Sequence, residues 1–284
     1  MVKRTRSVAA AAASQAFEIV ASVQTDKGCV REMNEDSGRF VRPSDPALLR
    51  DKGTLLVVAD GMGGHSAGEV ASQMAVEIVS RAYYEAEYEA PAALRHAVEE
   101  ANRRIHAAAL ADSGKHGMGT TCTALAIVGP TGVAAHVGDS RLYMLRGGEI
   151  YQLSEDHSAV MEMVKHGLIS KEEARTHEDK NVILRALGTT PDVEVSVLKP
   201  FQVREGDFFL LCSDGLHDLV EDEEIGRVVA SAPDEHAACE RLIALAKERG
   251  GHDNVTVGLL GVVPGGAPAA GAESAPTTRE VEAV

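Results

Sequence analysis

Three aspartates of this chain, Asp60, Asp139 and Asp214, each follow a short apolar stretch and precede a very small residue. Apolar runs of four to eight residues that stop at Gly or Ser are typical of buried strands ending at turns. A carboxylate therefore lies at each of these strand ends, where the core meets solvent. Further acids occur in the segments 34–36 and 250–254. Acidic side chains collected from separate strand ends indicate a positively charged ligand.

A pair of divalent metal ions is the ligand that these residue types favour. Carboxylate and backbone carbonyl oxygens suit Mg²⁺ or Mn²⁺ rather than zinc, and a glycine after an aspartate lets its own carbonyl approach an ion. Two ions about 3.5–4 Å apart can clamp a phosphate and ionise a water, using roughly four or five acids with one shared between them. The candidate ligands are Asp60, Asp214 and Asp253, assisted by the Gly61 carbonyl, Glu35 and Asp36, with Asp139 available for a further ion at the rim.

Two alternative roles for the acids remain open. Each Asp could simply cap a turn, since Asp and Gly are favoured turn residues; that role suits one Asp-Gly pair better than five acids at strand ends and Gly-rich turns. A structural calcium site is the second alternative, although the chain has no twelve-residue EF-type loop. Cys29 lies near Arg31 but without the C-x₅-R spacing that cysteine phosphatases use.

Composition limits the class of protein. A chain of 284 residues is long enough for one large domain. Its net charge of −15, with no basic cluster, argues against nucleic-acid binding. The four cysteines are scattered without a C-x-x-C pair, which fits a reducing compartment, and no apolar run reaches the ~18 residues of a membrane helix. We expect a cytoplasmic monomer that binds neither membrane nor nucleic acid.

The predicted elements form one domain of mixed helices and antiparallel strands. A capping box at 66–69 predicts a helix to about residue 88, and Pro91 suits the first turn of a second helix. Strands are predicted at 121–128, 133–137, 141–145 and 149–153, and the short Gly-rich connections between them, at 129–132, 138–140 and 146–148, predict that consecutive strands are antiparallel neighbours. Further predicted strands are 18–23, 36–41, 193–198, 207–212 and 254–262, and further helices are 222–231 and 235–249. Such a pattern favours helices on the outer faces of a β-sandwich.

Seven motifs occur in order along residues 18–262, and together they are a specific signal. They are Arg31-Glu32-Met33-Asn34-Glu35-Asp36, Asp60-Gly61-Met62-Gly63-Gly64-His65, Gly119-Thr120-Thr121, Gly138-Asp139-Ser140-Arg141, Asp156-His157-Ser158, Ser213-Asp214-Gly215-Leu216 and Gly251-His252-Asp253-Asn254. The set resembles the metal-dependent Ser/Thr protein phosphatases (PPM family, type 2C) in their compact bacterial form. The resemblance implies an α+β fold, a four-layer αββα sandwich of two antiparallel sheets flanked by helices. Composition predicts a disordered leader at 1–15 and a disordered tail at 264–284. A single catalytic domain at 16–263 lies between them, and the resemblance implies a flap at about 158–187.

The resemblance also implies a role for each metal-binding candidate, with Mn²⁺ or Mg²⁺ as the cofactor. Asp60 would bridge two ions, and the matching positions place the other groups around it. Asp214 and Asp253 would complete the first site, the Gly61 carbonyl and Glu35 the second, Asp36 would hold metal-bound water, and Asp139 with Asp214 would bind a possible third ion.

Arg31 and His65 complete the implied catalytic set. Arg31 matches a phosphate-binding arginine, whose fork of donors fits phosphate oxygens; the alternative is an exposed arginine at a strand edge. His65, just before a helix, matches a general acid that protonates the departing Ser or Thr oxygen, and the alternative is a surface histidine. Thr120, Ser140 and Asn254 are expected to orient ligands, and His157 and His252 to make structural hydrogen bonds.

The implied function is hydrolysis of phosphoserine and phosphothreonine in proteins, opposing Ser/Thr kinases. A catalytically silent phosphoprotein-binding member is a rival, although every acid expected for the two principal metals is present. A branch that controls transcription-factor antagonists is another; its members usually lack the arginine found here at 31. A general hydrolase of small phosphomonoesters is a third. The flap is expected to influence substrate choice more than the chemistry.

Overall fold

Twelve strands and eight helices form within residues 17–63 and 67–265, the part of the chain that this computed structural model describes. The strands are β1 Phe17–Asp26, β2 Asp36–Val41, β3 Thr54–Met62, β4 Gly119–Thr120, β5 Cys122–Val128, β6 Thr131–Val137, β7 Arg141–Arg146, β8 Glu149–Gln152, β9 Ser196–Val197, β10 Phe201–Gln202, β11 Phe208–Cys212 and β12 Val255–Pro264. The helices are α1 Pro46–Lys52, α2 Ala67–Glu85, α3 Ala90–Ala111, α4 Ala159–Lys165, α5 Lys171–Thr176, α6 Asp214–His217, α7 Asp222–Ser231 and α8 Glu235–Glu248. The predicted leader and nearly all of the predicted tail lie outside the described residues.

Two antiparallel sheets lie face to face. The first sheet has the order β1-β12-β11-β7-β8, and the second has the order β10-β6-β5-β3-β2, with β9 beside β6 and β4 beside β3. A shared apolar layer fills the space between them, including Leu56, Leu125, Phe209, Leu211 and Leu260. Burial of such side chains from both inner faces is what joins two sheets into a sandwich.

Helices cover both outer faces. The apolar faces of α2 and α3 pack on the second sheet, and those of α7 and α8 pack on the first. The predicted four-layer αββα sandwich is therefore confirmed.

One predicted strand pairing is wrong. Strands 133–137 and 141–145 were expected to pair as antiparallel neighbours, but β6 belongs to the second sheet and β7 to the first. The three residues between them cross from one sheet to the other. Gly138 makes this possible with a φ of 110°, and a Cβ there would lie 2.6 Å from the Thr121 side chain. The crossing places Asp139 at the seam between the sheets.

Smaller differences concern short elements. Helix α1 was not predicted, and the predicted strand 193–198 is only two residues long, as β9. Helix α6 begins at Asp214, where the sequence indicated a turn. The segment 158–187, proposed as the flap, carries α4 and α5.

Candidate metal centre

The second sheet supplies two aspartates and a glycine carbonyl at one end of the sandwich. Strands β2 and β3 pair in a register that sets Asp36 directly opposite Asp60. The Gly61 amide donates to the Glu35 carbonyl at 3.1 Å. This bond holds Glu35, just before β2, beside the end of β3. A Cβ at Gly68, near the start of α2, would lie 2.8 Å from Glu35 Oε1. A glycine there leaves the space that the Glu35 carboxylate occupies.

The first sheet supplies two more aspartates to the same end. Asp214 is the first residue of α6, two residues after the end of β11, and Asp253 lies two residues before β12. Their segments come very close, since a Cβ at Gly215 would lie 2.0 Å from the Asn254 carbonyl oxygen. Asp139 joins them from the seam, where its carbonyl lies 3.1 Å from His217 Nε2.

Of these acids, only Asp253 forms an ion pair within residues 17–63 and 67–265, with Arg31. Four buried carboxylate oxygens have no hydrogen-bond partner among residues 17–63 and 67–265. These oxygens are Glu35 Oε1, Asp36 Oδ1, Asp139 Oδ1 and Asp214 Oδ1. Leaving buried polar atoms unpaired costs about 1–3 kcal/mol each, and more for charged groups, so the arrangement calls for a cation.

Burial and the proximity of the acids to one another raise their pKa values. Burial first, and then the charges of Asp36, Asp214, Asp139 and Asp253, raise the pKa of Asp60 well above its ordinary value. Burial likewise raises the pKa of Asp36 and that of Asp139 to about 6. The pKa of Asp214 is also raised by burial and by the neighbouring carboxylates.

The residues present fit a pair of hard divalent cations. Unpartnered carboxylate oxygens come from both sheets, and oxygen ligands of this kind suit Mn²⁺ or Mg²⁺. Among the described residues, no three His, Cys, Asp or Glu side chains already form a metal cage. Two of the acids instead contact protein donors: Arg31 Nη2 lies 2.7 Å from Asp253 Oδ2, and Ser213 Oγ donates to Asp36 Oδ2 at 2.7 Å.

Hydroxyl groups fix the backbone around Asp60. Its amide donates to Thr121 Oγ1 at 2.9 Å, and Thr120 Oγ1 donates to its carbonyl at 2.8 Å. Thr121 Oγ1 in turn shares a 2.7 Å hydrogen bond with Ser140 Oγ, beside Asp139. The strand end that carries Asp60 is therefore linked to the seam turn.

Asn254 fixes the loop between β1 and β2. Its side-chain oxygen accepts from the Glu35 amide at 2.8 Å, and its Nδ2 donates to the carbonyls of Lys27 and Met33. The same loop carries Arg31, whose side chain is half exposed. Arg31 is thus brought to the carboxylates, with its guanidinium open to an incoming anion.

Sequence reasoning missed two residues that contact the site. Ser213 donates to Asp36 and accepts from the Thr256 amide at 2.9 Å, and His217 contacts the Asp139 carbonyl. The position of Ser213 directly before Asp214 is the sequence signal that could have identified it. No sequence signal identifies His217, because its contact with Asp139 depends on the formation of α6. His65 lies outside the described residues, between Gly63 and the start of α2.

His157 and His252 differ in their surroundings. His157 Nδ1 accepts from the Gly138 amide at 3.1 Å, and burial lowers the pKa of His157 to about 4. His252 is exposed.

Residues 34–248 match the family model described as protein phosphatase 2C. The chain belongs to this family. The serine/threonine phosphatase stp of Listeria welshimeri is 40% identical over 246 residues, covering 84% of this chain and 94% of its own. A structure of the catalytic domain of the serine threonine protein phosphatase PstP, in complex with two manganese ions, has 38% identity and a TM-score of 0.75, covering 87% of this chain and 99% of its own. The serine/threonine phosphatase Stp1 of Staphylococcus aureus has 34% identity and a TM-score of 0.79, covering 89% of this chain and 99% of its own.

Family membership confirms the resemblance drawn from the seven motifs. None of the helices within the described residues combines the length and apolar character needed to cross a bilayer.

Proposed function

We propose that this phosphatase removes phosphate from phosphoserine and phosphothreonine in other proteins at the carboxylate centre between its two sheets. The observation that carries the proposal is the set of buried, unpartnered carboxylate oxygens contributed by both sheets at one end of the sandwich. A catalytically silent member would not need to keep this costly cluster of charges.

Mn²⁺ or Mg²⁺ is the cofactor, and the acids divide between the ions. Asp60 lies among the other aspartates and would be shared between two ions, with Asp214 and Asp253 as further ligands of the first. The Gly61 carbonyl and Glu35 would hold the second ion, and Asp36 would hold it through water. Asp139, with Asp214, would hold a third and more peripheral ion. When bound, such ions neutralise phosphate charge and lower the pKa of water, so that water attacks phosphorus directly.

The phosphate is oriented by Arg31. Its guanidinium offers several N–H donors in one plane, which matches two phosphate oxygens. Asp253 contacts Nη2 and so directs the guanidinium toward the carboxylates. The buried acids otherwise repel an anion, so a cationic group at the rim is needed to admit one.

The leaving oxygen takes its proton from the imidazole of His65. An alkoxide is a poor leaving group, so protonation matters most for Ser and Thr esters. Replacement of His65 by Gln should lower turnover of a phosphopeptide more than turnover of p-nitrophenyl phosphate, whose leaving group hardly needs a proton. Equal losses on the two substrates would reduce His65 to a positional role.

Phosphorylated proteins are the substrates, and Ser/Thr kinases the opposing enzymes. The four cysteines are all free, which suits work in the reducing cytoplasm. We propose that the chain acts there as a monomer.

The test is hydrolysis of a phosphothreonine peptide by wild type and Asp214→Asn, with Mn²⁺, Mg²⁺, Ca²⁺ or EDTA. Wild type should be active with Mn²⁺ or Mg²⁺ only. The variant should lose more than about 100-fold in kcat/KM, because even groups that only orient ligands contribute about 10–100-fold. Asp51→Asn, which changes an exposed acid paired with Arg50, is the matched control and should keep full activity. Equal wild-type activity in EDTA would falsify the proposal.

A further inference from the structure

An open groove of about 600 Å³ lies between the end of β1 and one face of α8. The residues that line it are Gln24, Thr25 and Asp26 from β1 and Glu240, Ile243, Ala244, Lys247 and Glu248 from α8. The α8 residues recur at intervals of three and four positions, so they share one face of the helix. This face takes no part in the chemistry proposed for the carboxylate centre.

One end of the groove contacts the loop that carries Arg31. Lys247 Nζ donates to Asp26 Oδ2 at 2.7 Å, and the Gly28 amide donates to Asp26 Oδ1 at 2.8 Å. Cys29 comes next, and its Sγ lies 3.8 Å from the Lys247 carbonyl oxygen. The wall of the groove and the loop are therefore in direct contact only two residues from Arg31.

An exposed apolar side chain continues this surface toward the metal centre. Val30, between Cys29 and Arg31, is 67% exposed. The loop beneath it is held in place, because Asn254 Nδ2 donates to two of its backbone carbonyls. Binding residues are commonly displayed in this way, on loops that a rigid scaffold positions. Val30 is thus placed to contact a residue next to one whose phosphate lies at Arg31.

The floor of the groove is apolar. Ile243 is 8% exposed, and Ala244 beside it is half-buried. Apolar surface of this kind accommodates the methylene stem of a lysine or arginine, while the charged head of that side chain stays in water.

The rim of the groove is acidic. The side chains of Glu240 and Glu248 are 62% and 59% exposed, whereas the groove's one cation, Lys247, is already paired with an aspartate of β1. Glu248 contacts Arg241 and Glu240 contacts His236, but both contacts are open to solvent. Exposed pairs of this kind contribute little, so the two glutamates remain available to a cation from another protein.

A short segment of substrate can join Arg31 to this rim. Asp26 and Arg31 are five residues apart in sequence, and five extended residues span at most about 18 Å. Glu240 lies eight residues before Glu248, which is about 12 Å along the helix axis. A basic residue roughly four to nine positions from the phosphorylated residue can therefore reach one of the two glutamates.

We propose that this groove binds the part of a phosphoprotein substrate that flanks the phosphorylated residue, and that it favours segments carrying Lys or Arg. The inference rests on the proposed function, which places the substrate phosphate at Arg31. The net charge of −15 also attracts basic substrates over long range. The groove adds a local preference that depends on its own two glutamates.

The test compares phosphothreonine peptides that are identical except at two positions, five and eight residues from the phosphothreonine. These positions hold Lys, Gln or Glu, on the N-terminal side in one set of peptides and on the C-terminal side in the other. The groove variant is Glu240→Lys/Glu248→Lys, which changes only exposed side chains.

The matched control is Glu85→Lys/Glu87→Lys, which changes the net charge by the same amount. Both glutamates are exposed, and Glu85 pairs with Arg81 much as Glu248 pairs with Arg241. Helix α2 starts beside the metal centre and is 19 residues long. It therefore carries Glu85 about 28 Å away from that centre.

In one of the two sets, wild type should hydrolyse the Lys peptide with a kcat/KM about 3–10-fold above that of the Gln peptide, the scale of one or two exposed ion pairs. The difference should reside mainly in KM and should shrink as salt is added, because salt screens exposed charges. The groove variant should lose the preference, and the control should keep it within about 2-fold. Hydrolysis of p-nitrophenyl phosphate should be the same in all three proteins, because this substrate is too small to reach the groove.

Three kinetic results would overturn the proposal: equal hydrolysis of the Lys and Gln peptides by wild type in both sets, an unchanged preference in the groove variant, or an equal loss of preference in the groove variant and the control. The last result would assign the preference to net charge alone. Sedimentation that shows a wild-type dimer and a monomeric groove variant would also overturn it, because a second copy of the chain would then occupy the groove. Failure of the proposed function is distinguishable, since wild type with Mn²⁺ would then hydrolyse neither p-nitrophenyl phosphate nor any of the peptides.

Discussion

Two groups of buried aspartates in this protein have opposite surroundings. Asp156 and Asp207 are 5% and 1% exposed, and each is matched by an arginine that contacts both carboxylate oxygens. Asp36 and Asp139 are each 6% exposed, yet each keeps an oxygen without a partner among the described residues. Burial alone therefore does not separate structural from functional carboxylates.

The difference lies in which group supplies the positive charge. The guanidiniums of Arg141 and Arg146 neutralise Asp156 and Asp207 permanently, because arginine stays protonated. At the metal centre the protein supplies only one arginine, Arg31, among the described residues, and places it at the exposed rim. We propose that the compensating charge there is supplied by divalent ions from outside the chain.

Breaking the buried pair should give the largest loss of stability. Asp156→Asn leaves the Arg141 guanidinium, whose side chain is 14% exposed, without its full countercharge. Removal of one partner from a buried ion pair costs about 3–5 kcal/mol. Urea unfolding monitored by circular dichroism should show that loss. The exposed pair between Arg50 and Asp51 is the control, and Asp51→Asn should change the free energy of unfolding by less than about 1 kcal/mol. If Asp156→Asn lost no more stability than Asp51→Asn, the contrast between the arginine-paired and the unpartnered aspartates would not hold.

Neutralising a buried carboxylate that has no cationic partner should increase stability instead of decreasing it. In EDTA at pH 7, Asp36→Asn should raise the free energy of unfolding by about 1–3 kcal/mol, since one pKa unit corresponds to about 1.4 kcal/mol and burial raises the pKa of Asp36 to about 6. The variant should at the same time lose activity with Mn²⁺.

The effect of Asp36→Asn depends on pH. A carboxyl whose folded pKa is raised stabilises the fold fully below its unfolded pKa, and that contribution is lost as the pH rises through its folded pKa. For Asp36 the window runs from about pH 4 to about pH 6. The advantage of the variant over wild type should therefore be near zero at pH 4 and complete by pH 7. Comparing the two proteins cancels the opposite contribution of His136 and His157, whose pKa values burial lowers to about 4. A constant difference across this range would contradict the account.

Arg31→Ala should have the smallest effect on stability. Its contact with Asp253 is partly exposed, and pairs of this kind contribute about 0–1 kcal/mol. Phosphopeptide hydrolysis should nevertheless fall by about 10-fold or more, mainly through KM, because a charge-assisted donor to the phosphate is lost. Arg50→Ala, which removes another exposed arginine, should alter neither quantity. Loss of stability without loss of activity in Arg31→Ala would assign Arg31 a structural role.

Much of the fold and of the site followed from the sequence. Strand 36–41 and helix 222–231 were predicted with the observed limits, because alternation, caps and apolar periodicity are local signals. The convergence of Asp60, Asp214 and Asp253 was predictable for a related reason. Each lies where an apolar run meets a turn, and the turns at one end of a sandwich lie close together.

Other features depend on contacts that no local pattern records. The connection at Gly138 looks in sequence like the turn of a tight hairpin. Only the packing of the whole protein decides that β7 joins the first sheet instead of pairing with β6. The donor from Ser213 to Asp36 joins residues 177 positions apart. Whether a buried aspartate meets an arginine, as Asp156 does, is equally a property of the packed protein.

The most direct test of the central claim is calorimetric titration of Mn²⁺ into wild-type protein at pH 7.5, repeated with Asp60→Asn. Asp60 lies amid the other aspartates, and the account makes it the bridge between two ions. Wild type should bind at least two Mn²⁺ ions per chain, and Asp60→Asn should lose both tight sites while still folding. Wild type that binds no Mn²⁺, or an Asp60→Asn variant that binds it as wild type does, would contradict the assignment of the carboxylate cluster as the metal centre.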